Sequence, residues 1–421
     1  MKKKLTFLDL FAGCGGLSEG FIQAGFTPVA HVEMDAAACF SLKTRMAYHW
    51  LTANGKEEIY SNYLKGNISR TELYSCIPSD ITDMVIHEEI NEISLKGIFD
   101  KIDKRLTGKI DIIIGGPPCQ AYSLVGRARN NGMFGDKRNY LFLFYAEFLK
   151  RYRPEFFVFE NVSGLLSAKD TAGCRYFDMM METFDKAGYY AEYRLISADK
   201  YGVPQKRKRI ILIGARKGKV FHYPELKSSA LEATVNELIN DLPKLHAGEG
   251  KYHSYRLSAA HDYLYKIGVA DKKFPVTFHV SRPNNSQDLE IYRIAVNKWN
   301  KEKTRLNYND LPERLKTHRN TSSFTDRFKV VFGDLKASHT VVAHISKDGH
   351  YYIHPDINQN RSLTPREAAR LQTFPDNYFF ESVTEKPSLA TAFRQIGNAV
   401  PVYLAKQIAE QMLKLLRKAE Q

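Results

Sequence analysis

Of five cysteines spread along the chain, one stands apart: Cys119 lies in the run Gly115, Gly116, Pro117, Pro118, Cys119, Gln120. The two prolines fix backbone dihedrals and the two glycines let another group come close, so the thiol is presented on a stiff loop. As a thiolate it is a nucleophile. Cys14, Cys39, Cys76 and Cys174 have no such setting and read as small core residues. The apolar run FFVF leads into Glu160, Asn161 and Val162, supplying a carboxylic acid. A nucleophile together with an acid able to protonate a ring nitrogen is a complete set for activating a pyrimidine. In QKRKR, alternation places Gln205, Arg207 and Arg209 on one face of an extended segment, where two guanidiniums suit a phosphate or a base carbonyl.

A second group of residues suits a nucleotide-like ligand. Gly13, Gly15 and Gly16 follow the apolar run LTFLDLF, where missing side chains permit a tight turn and close approach to the backbone. Ser18 occupies the place where a dinucleotide fingerprint carries its last glycine, which counts against a nicotinamide cofactor. Glu33 ends the next strand about 20 residues on, the position from which a carboxylate accepts ribose hydroxyls.

These groups need a scaffold that brings distant segments to one edge. Short apolar runs (LTFLDLF, PVAHVEMD, KIDIIIGG, EFFVFEN, KRIILIGA) alternate with amphipathic stretches, the pattern of a parallel sheet flanked by helices. Ligands bind at the carboxyl ends of such strands. The connection from Glu33 to Asp80 and the charged stretch from Asp83 to Thr107 read as surface insertions. After about Ala215 the rhythm gives way to polar sequence rich in Lys, His, Asn and Tyr, and a second domain is expected there. Helical character returns at TPREAARLQ, with Thr364 as cap and Pro365 in the first turn, and again from Pro401 to Gln421.

Composition narrows the partners. The 421 residues are 43% hydrophobic, enough for a sizeable core, and carry a net charge of +14 with a pI near 9.3. The excess is spread along the chain, which favours a polyanionic partner. An odd number of cysteines with no CxxC spacing argues against a disulfide framework and a zinc site, so no metal is expected and a reducing cytoplasm is the natural home. The start MKKKLTFLDLFAG has the charged and apolar parts of a signal peptide, but Asp9 interrupts its apolar run, and a buried strand is expected there. No stretch reaches the roughly 18 apolar residues of a membrane span.

With FLDLFAGCGG, GGPPCQ, ENV, QKRKR, RSLTPREAARLQTFPD and QIGNAVPV in this order, the chain resembles the DNA cytosine-C5 methyltransferases over residues 4–216 and 338–410. The resemblance implies an α/β fold, a Rossmann-like mixed and mostly parallel sheet with helices on both faces, plus a smaller irregular recognition domain. It divides the chain into a catalytic domain (1–216), a target-recognition domain (217–360) and a C-terminal segment (361–421) that returns to the catalytic domain. It implies S-adenosylmethionine as cofactor, bound by Phe11, Gly13, Gly15, Gly16, Leu17, Glu33, Met34, Asp80, Pro117, Asn398 and Val400. Met34 stands where the family often has tryptophan, and Asp80 lies in SDIT where GDI is frequent.

By the same resemblance Cys119 adds to C6 of a flipped-out cytosine, Glu160 hydrogen-bonds or protonates N3, and Arg207 with Arg209 holds the O2 side. Gln120, Ser123, Arg127, Arg129 and Gln205 are expected at double-stranded DNA. The loop after Cys119, with Gly126, Arg127, Arg129, Gly132 and Gly135, is expected to close over the flipped nucleotide. A compact chain of this kind suits a monomeric bacterial modification enzyme, cytoplasmic and nucleoid-associated on DNA, alongside a restriction endonuclease that acts independently. The related transfer RNA methylases carry a CFT signature absent here. A dinucleotide-dependent oxidoreductase leaves GGPPCQ, ENV and QKRKR unexplained, and a DNA-binding module without catalysis requires loss of the reactive residues.

Overall fold

The computed structural model describes residues 4–118, 137–219, 221–229, 233–318, 321–323 and 325–419. Seven strands form one sheet: β1 (Thr6–Leu10), β2 (Thr27–Glu33), β3 (Val85–His87), β4 (Ile112–Gly115), β5 (Phe156–Asn161), β6 (Tyr189–Ser197) and, after a short β7 (Gln205–Lys206) outside it, β8 (Lys208–Arg216). Their order is β3-β2-β1-β4-β5-β8-β6, with β8 antiparallel to both neighbours and the remaining pairs parallel.

The central strands read as unbroken apolar runs because both faces are covered. Leu8, Leu10, Ile113, Phe157, Phe159, Ile210 and Leu212 face one core, closed by α6 (Leu95–Asp103), α7 (Leu141–Tyr152) and α8 (Tyr176–Lys186). Phe7, Ile112, Ile114, Phe156, Val158, Ile211 and Ile213 alternate to the other face, beneath α1 (Gly16–Gln23) and the last helix, α13 (Val402–Ala419). Thus the end of the chain packs on the sheet that its start begins.

The stretch between Glu33 and Asp80 is not the surface insertion its length suggests. It folds into α2 (Ala36–Ala53), capped by Asp35, then α3 (Glu57–Leu64) and α4 (Arg70–Ser75). Tyr60, Tyr63, Leu64 and Leu73 are buried with Phe274, Phe278 and the Phe374–Phe380 segment in a core of their own. The Tyr60 hydroxyl donates to the Asn377 carbonyl at 2.9 Å. The stretch from Asp83 to Thr107 is likewise an ordinary strand–helix unit: β3 extends the sheet and Ile98 and Ile102 of α6 pack back on it.

Beyond β8 lie the antiparallel pair β9 (Gly250–Ser254) and β10 (Val276–Val280), the short α9 (Asp262–Lys266) and α10 (Ser286–Glu302). Two small cores hold this part, one of α10 with Leu306 to Phe332, the other around Leu264. A two-residue strand, β11 (Ser338–His339), pairs with β7 and ties it to the sheet domain. Helix α11 (Pro365–Leu371) starts on a capping box in which Thr364 Oγ1 accepts from the Glu367 N–H and the Glu367 carboxylate accepts from the Thr364 N–H. Its arginines are fully buried: Arg366 donates to the Thr277, Pro375 and Tyr378 carbonyls, and Arg370 pairs with Asp241 and Asp376. Helix α12 (Leu389–Asn398) then leads into α13. Among the described residues no helix is long and apolar enough to cross a membrane.

Candidate active site

The carboxyl ends of β1, β2, β3, β4 and β5 share one edge of the sheet, and the reversed β8 brings its first residues to that same edge. After β1 the chain turns one way to β2, while β4 lies on the other side, so a crevice opens between the loops there.

The glycine loop lines this crevice. Phe11, Gly13 and Gly15 all take positive φ (57, 56 and 88°), and Gly15 closes the turn by donating to the Ala12 carbonyl at 3.0 Å. The Glu33 carboxylate stitches the loop to β2: Oε2 accepts from the Gly13 N–H at 2.8 Å, and Oε1 from the N–H groups of Met34 at 2.9 Å and Asp35 at 2.7 Å. Burial pushes this carboxyl up, against the opposing pull of those backbone donors. An ionised carboxylate offers about four acceptor positions. Three are filled, which leaves one on Oε2 for a hydroxyl. Met34 is 57% exposed beside it, and its carbonyl lies 3.1 Å from His87 Nε2.

Helix α1 then rests on the final motif. A Cβ on Gly16 would stand 2.4 Å from the Val400 carbonyl oxygen, so only glycine lets the two segments touch. The Leu17 side chain is buried in the core rather than in the crevice, leaving its N–H in the first helical turn, where backbone donors lack intrahelical acceptors. Asn398 is the exposed last residue of α12, and Val400 is buried next to α1.

Asp80 does not join this group. It sits in α5 (Ser79–Asp83), before β3 rather than after it. Arg105 donates to both the Asp80 and Val29 carbonyls, which fixes Asp80 near the amino end of β2 and so at the opposite sheet edge. The pairing of Asp with a following Ile was the misleading signal, since it sat one element too early. Past the carboxyl end of β3 stand Glu88, paired with Lys101 at 2.8 Å, and the exposed Glu89. Glu89, Glu88 and Asp35 are solvent-facing carboxylates near the Glu33 edge among the described residues.

On the other side of the crevice Glu160 Oε1 meets Arg209 Nε at 2.9 Å, with 12% and 15% of the side chains exposed. The pair follows from register: Glu160 lies opposite Ile211, so Arg209, two residues earlier on the antiparallel strand, is its diagonal neighbour on the same face. A Cβ on Gly116 would stand 2.9 Å from Glu160 Oε2, so the root of the Gly-Gly-Pro-Pro loop passes against the carboxylate. Asn161 Nδ2 reaches the carbonyl of the buried Pro117 at 3.4 Å. Cys119, Gln120, Ser123, Arg127 and Arg129 lie outside the described residues.

Arg207 and Gln205 keep a common side, both reaching Val341, but Arg209 does not share it. Both are buried, at 1% and 0% exposure. Arg207 donates to the Val341 carbonyl at 2.8 Å and to the Gly397 carbonyl, and Gln205 bonds Gln372 and the Leu371 carbonyl. Simple alternation fails because β7 pairs with β11 and ends at Lys206, before β8 begins at Lys208. Arg209 alone of the three reaches the Glu160 carboxylate. Among the described residues no group of His, Cys, Asp and Glu could hold a metal ion.

Comparison with known proteins accords with this arrangement. The family model for C-5 cytosine-specific DNA methylase matches residues 5–62 and 79–414. The chain is 40% identical to the Type II methyltransferase M.Bpa9945I of Bacillus paralicheniformis, with 96% of this chain and 98% of that protein aligned. It is 29% identical to the Type II methyltransferase M1.HphI of Haemophilus parahaemolyticus, over 98% of this chain and 87% of that one. Among solved structures, a candidate DNA modification methyltransferase encoded within an E. coli prophage shares the fold, with a TM-score of 0.64 at 22% identity, covering 98% of this chain and 100% of that one. A sheet whose crevice joins a glycine loop to a Glu–Arg pair, and a family match over nearly the whole chain, lead to one assignment: the protein belongs to the C-5 cytosine-specific DNA methylases and is a DNA methyltransferase.

Proposed function

We propose that the chain transfers a methyl group from S-adenosylmethionine to C5 of a cytosine flipped out of a specific double-stranded DNA sequence, through a covalent bond between Cys119 and C6. The observation that carries this reading is the Glu160–Arg209 pair, held against Gly116 at the root of the loop that leads to Cys119 and on the same sheet edge as Glu33.

The crevice suits the cofactor. Glu33 keeps an acceptor position for a ribose hydroxyl, exposed Met34 offers an apolar surface for an adenine, and the first turn of α1 presents N–H donors to a carboxylate. Bound there, S-adenosylmethionine supplies an electrophilic methyl group. Phe11, Gly13, Gly15, Gly16, Leu17, Asn398 and Val400 would surround it, with Pro117 on the substrate side.

Cytosine C5 is a poor nucleophile within an aromatic ring. Addition of the Cys119 thiolate at C6 breaks the aromaticity and places electron density on C5, which then attacks the methyl group. Glu160 donates to N3, and Arg209 balances the negative charge developing toward O2. Loss of the C5 proton and elimination of the Cys119 thiolate restore the ring. Because C6 is unreachable inside a duplex, the base leaves the stack at a cost of a few kcal/mol. Phosphate contacts, including Arg127 and Arg129, offset it, with Gln120 and Ser123 near the vacated site. The recognition sequence comes from residues 217–360. The chain is read as the modification half of a restriction-modification pair, monomeric, cytoplasmic and independent of its nuclease.

Expression in a host lacking C5 methylation, followed by mapping of 5-methylcytosine, tests this directly. The expected result is methylation at one recurring sequence, abolished by Cys119→Ser. Full methylation by that variant, or methylation of transfer RNA in place of duplex DNA, would overturn the reading.

A further inference from the structure

Behind the Glu160–Arg209 pair runs a buried polar seam that the chemistry above does not use. Gln205 and Arg207 grip both backbone groups of one residue of the recognition side: the Val341 N–H donates to Gln205 Oε1 at 3.0 Å, and Arg207 Nη1 donates to the Val341 carbonyl at 2.8 Å. Alongside, β11 pairs with β7, and the Thr340 hydroxyl donates to the Lys206 carbonyl. The same guanidinium reaches the Gly397 carbonyl through Nη1 and Nη2 at 3.4 and 3.3 Å. Gln205 Nε2 donates to Gln372 Oε1 at 2.7 Å, and Gln372 Nε2 passes the connection to the Ile396 carbonyl at 2.7 Å and the Ala399 carbonyl at 3.2 Å. Residues 396–400 are the lip against which α1 and the glycine loop rest, through the Gly16–Val400 contact.

Three parts therefore meet at side chains that are 0 to 1% exposed: the strand that presents Arg209, the segment entering from the recognition domain, and the cofactor lip. Buried polar groups of this kind hold one geometry, because a shifted partner leaves a desolvated donor or acceptor unmet. A phosphate or base would need the Arg207 guanidinium at the surface, whereas it is 1% exposed with Nη1 and Nη2 donating to backbone carbonyls.

We propose that Arg207 and Gln205 are positioning residues that couple the seating of DNA to the seating of the cofactor, by locking the recognition segment at Val341 and the lip at Gly397 to the strand that presents Arg209. The inference rests on the functional reading above. It makes Arg207 neither a phosphate ligand nor a contact to the target base.

The test compares the wild-type chain with Arg207→Lys, which keeps the charge but has no planar fork to span two carbonyls. Affinity for S-adenosylhomocysteine is measured with and without an unmethylated duplex carrying the sequence the chain methylates. DNA affinity is measured across salt concentrations, and kcat and KM are measured on the same duplex. Wild type is expected to bind S-adenosylhomocysteine about 10-fold more tightly with DNA present, in the usual range for coupled sites. In Arg207→Lys that ratio falls below about 2-fold and kcat drops, while the DNA salt dependence is unchanged. Were Arg207 a phosphate ligand, removing its charge in Arg207→Met would lower the slope of log K against log salt by about 0.9, and that result would overturn the inference. So would an undiminished ratio in a folded variant, or a wild type that binds both ligands without coupling. A wild type that binds neither would overturn the functional reading and this inference with it. If Arg207→Lys does not fold, Gln205→Met, which releases Val341 without altering charge, is held to the same outcomes.

Discussion

Replacing Gly20 by alanine sets two effects of known size against each other. Gly20 lies inside α1, and in a helix interior alanine is favoured over glycine by up to about 1 kcal/mol. Here the added Cβ would stand 2.4 Å from the Lys406 backbone N, 2.5 Å from Ala405 Cβ and 2.6 Å from the Ala405 carbonyl carbon. Ordinary contact begins near 3.4 Å, so α13 must back away by close to 1 Å. None of these atoms can swing aside, and a gap of 0.5 to about 1 Å forfeits roughly a quarter to a half of each dispersion contact it opens. Leu404, Ala405, Ile408, Ala409 and Met412 all pack on that side of the sheet. Overpacking costs about 1–3 kcal/mol, here toward the upper end because backbone is struck. The net expectation is a loss of about 1–2 kcal/mol. Gly97→Ala in α6 is the matched control: its Cβ meets nothing within 4 Å, so it gains about 0.5–1 kcal/mol. Urea unfolding midpoints at equal m-values read both. If Gly20→Ala proves as stable as the wild type, or moves with Gly97→Ala, the close packing of α1 on the chain's last helix is refuted.

Other perturbations have equally definite outcomes. Arg45→Met strips Glu19, buried at 1% exposure, of its 2.7 Å partner, and urea unfolding is expected to show a loss of about 3–5 kcal/mol with the neutral Gln23 amide and His49 left beside the carboxylate. The arginines beside Asp376, chiefly Arg370, overcome burial and hold its carboxyl at about 2, below its ordinary 3.8. A depressed carboxyl stabilises the fold fully above its unfolded value, so this contribution, about 2–3 kcal/mol, is lost as the pH falls from 3.8 toward 2. Melting temperatures followed through that interval should fall less steeply for Asp376→Asn than for the parent. Glu160→Gln removes the proposed proton donor while keeping the shape, and single-turnover rates should fall by about 10²–10⁴ with DNA affinity retained. Gly116→Ala, whose Cβ would press within 2.9 Å of Glu160 Oε2, should lower the same rate constant without removing any functional group.

The parts of the fold legible in the sequence are those with a local cause. Strands β1, β2, β4, β5 and β8 show as apolar runs because both sheet faces are covered, and α11 declares itself through Thr364, Pro365 and Glu367. β6 was harder to see: as the last strand of the sheet it mixes Tyr190, Tyr193 and Leu195, all exposed, with charged residues. What sequence could not carry was pairing between distant segments. Tyr60 and Tyr63 look like surface residues of an insertion until Phe274 and Phe379 cover them. The face of QKRKR depended on β7 stopping at Lys206 to pair with β11, a partner 133 residues later by the Gln205–Ser338 register. Asp80 was misplaced by one element because a two-residue resemblance cannot say on which side of a three-residue strand it falls. Glu33 and the glycine loop, by contrast, are set by a spacing short enough to survive without any tertiary information.

The central claim is that Cys119 bonds to cytosine C6, and a duplex with 5-fluorocytosine at the mapped target tests it most directly. After addition and methyl transfer, fluorine at C5 cannot leave as the proton does, so elimination of the thiolate is blocked and the bond persists. With S-adenosylmethionine present, the expected product is a denaturation-resistant protein–DNA complex whose cross-linked peptide carries the modification on Cys119, and which Cys119→Ala does not form. A cross-link at Cys14, Cys39, Cys76 or Cys174, or methylation of ordinary duplex with no trapped complex on the fluorinated one, would contradict it.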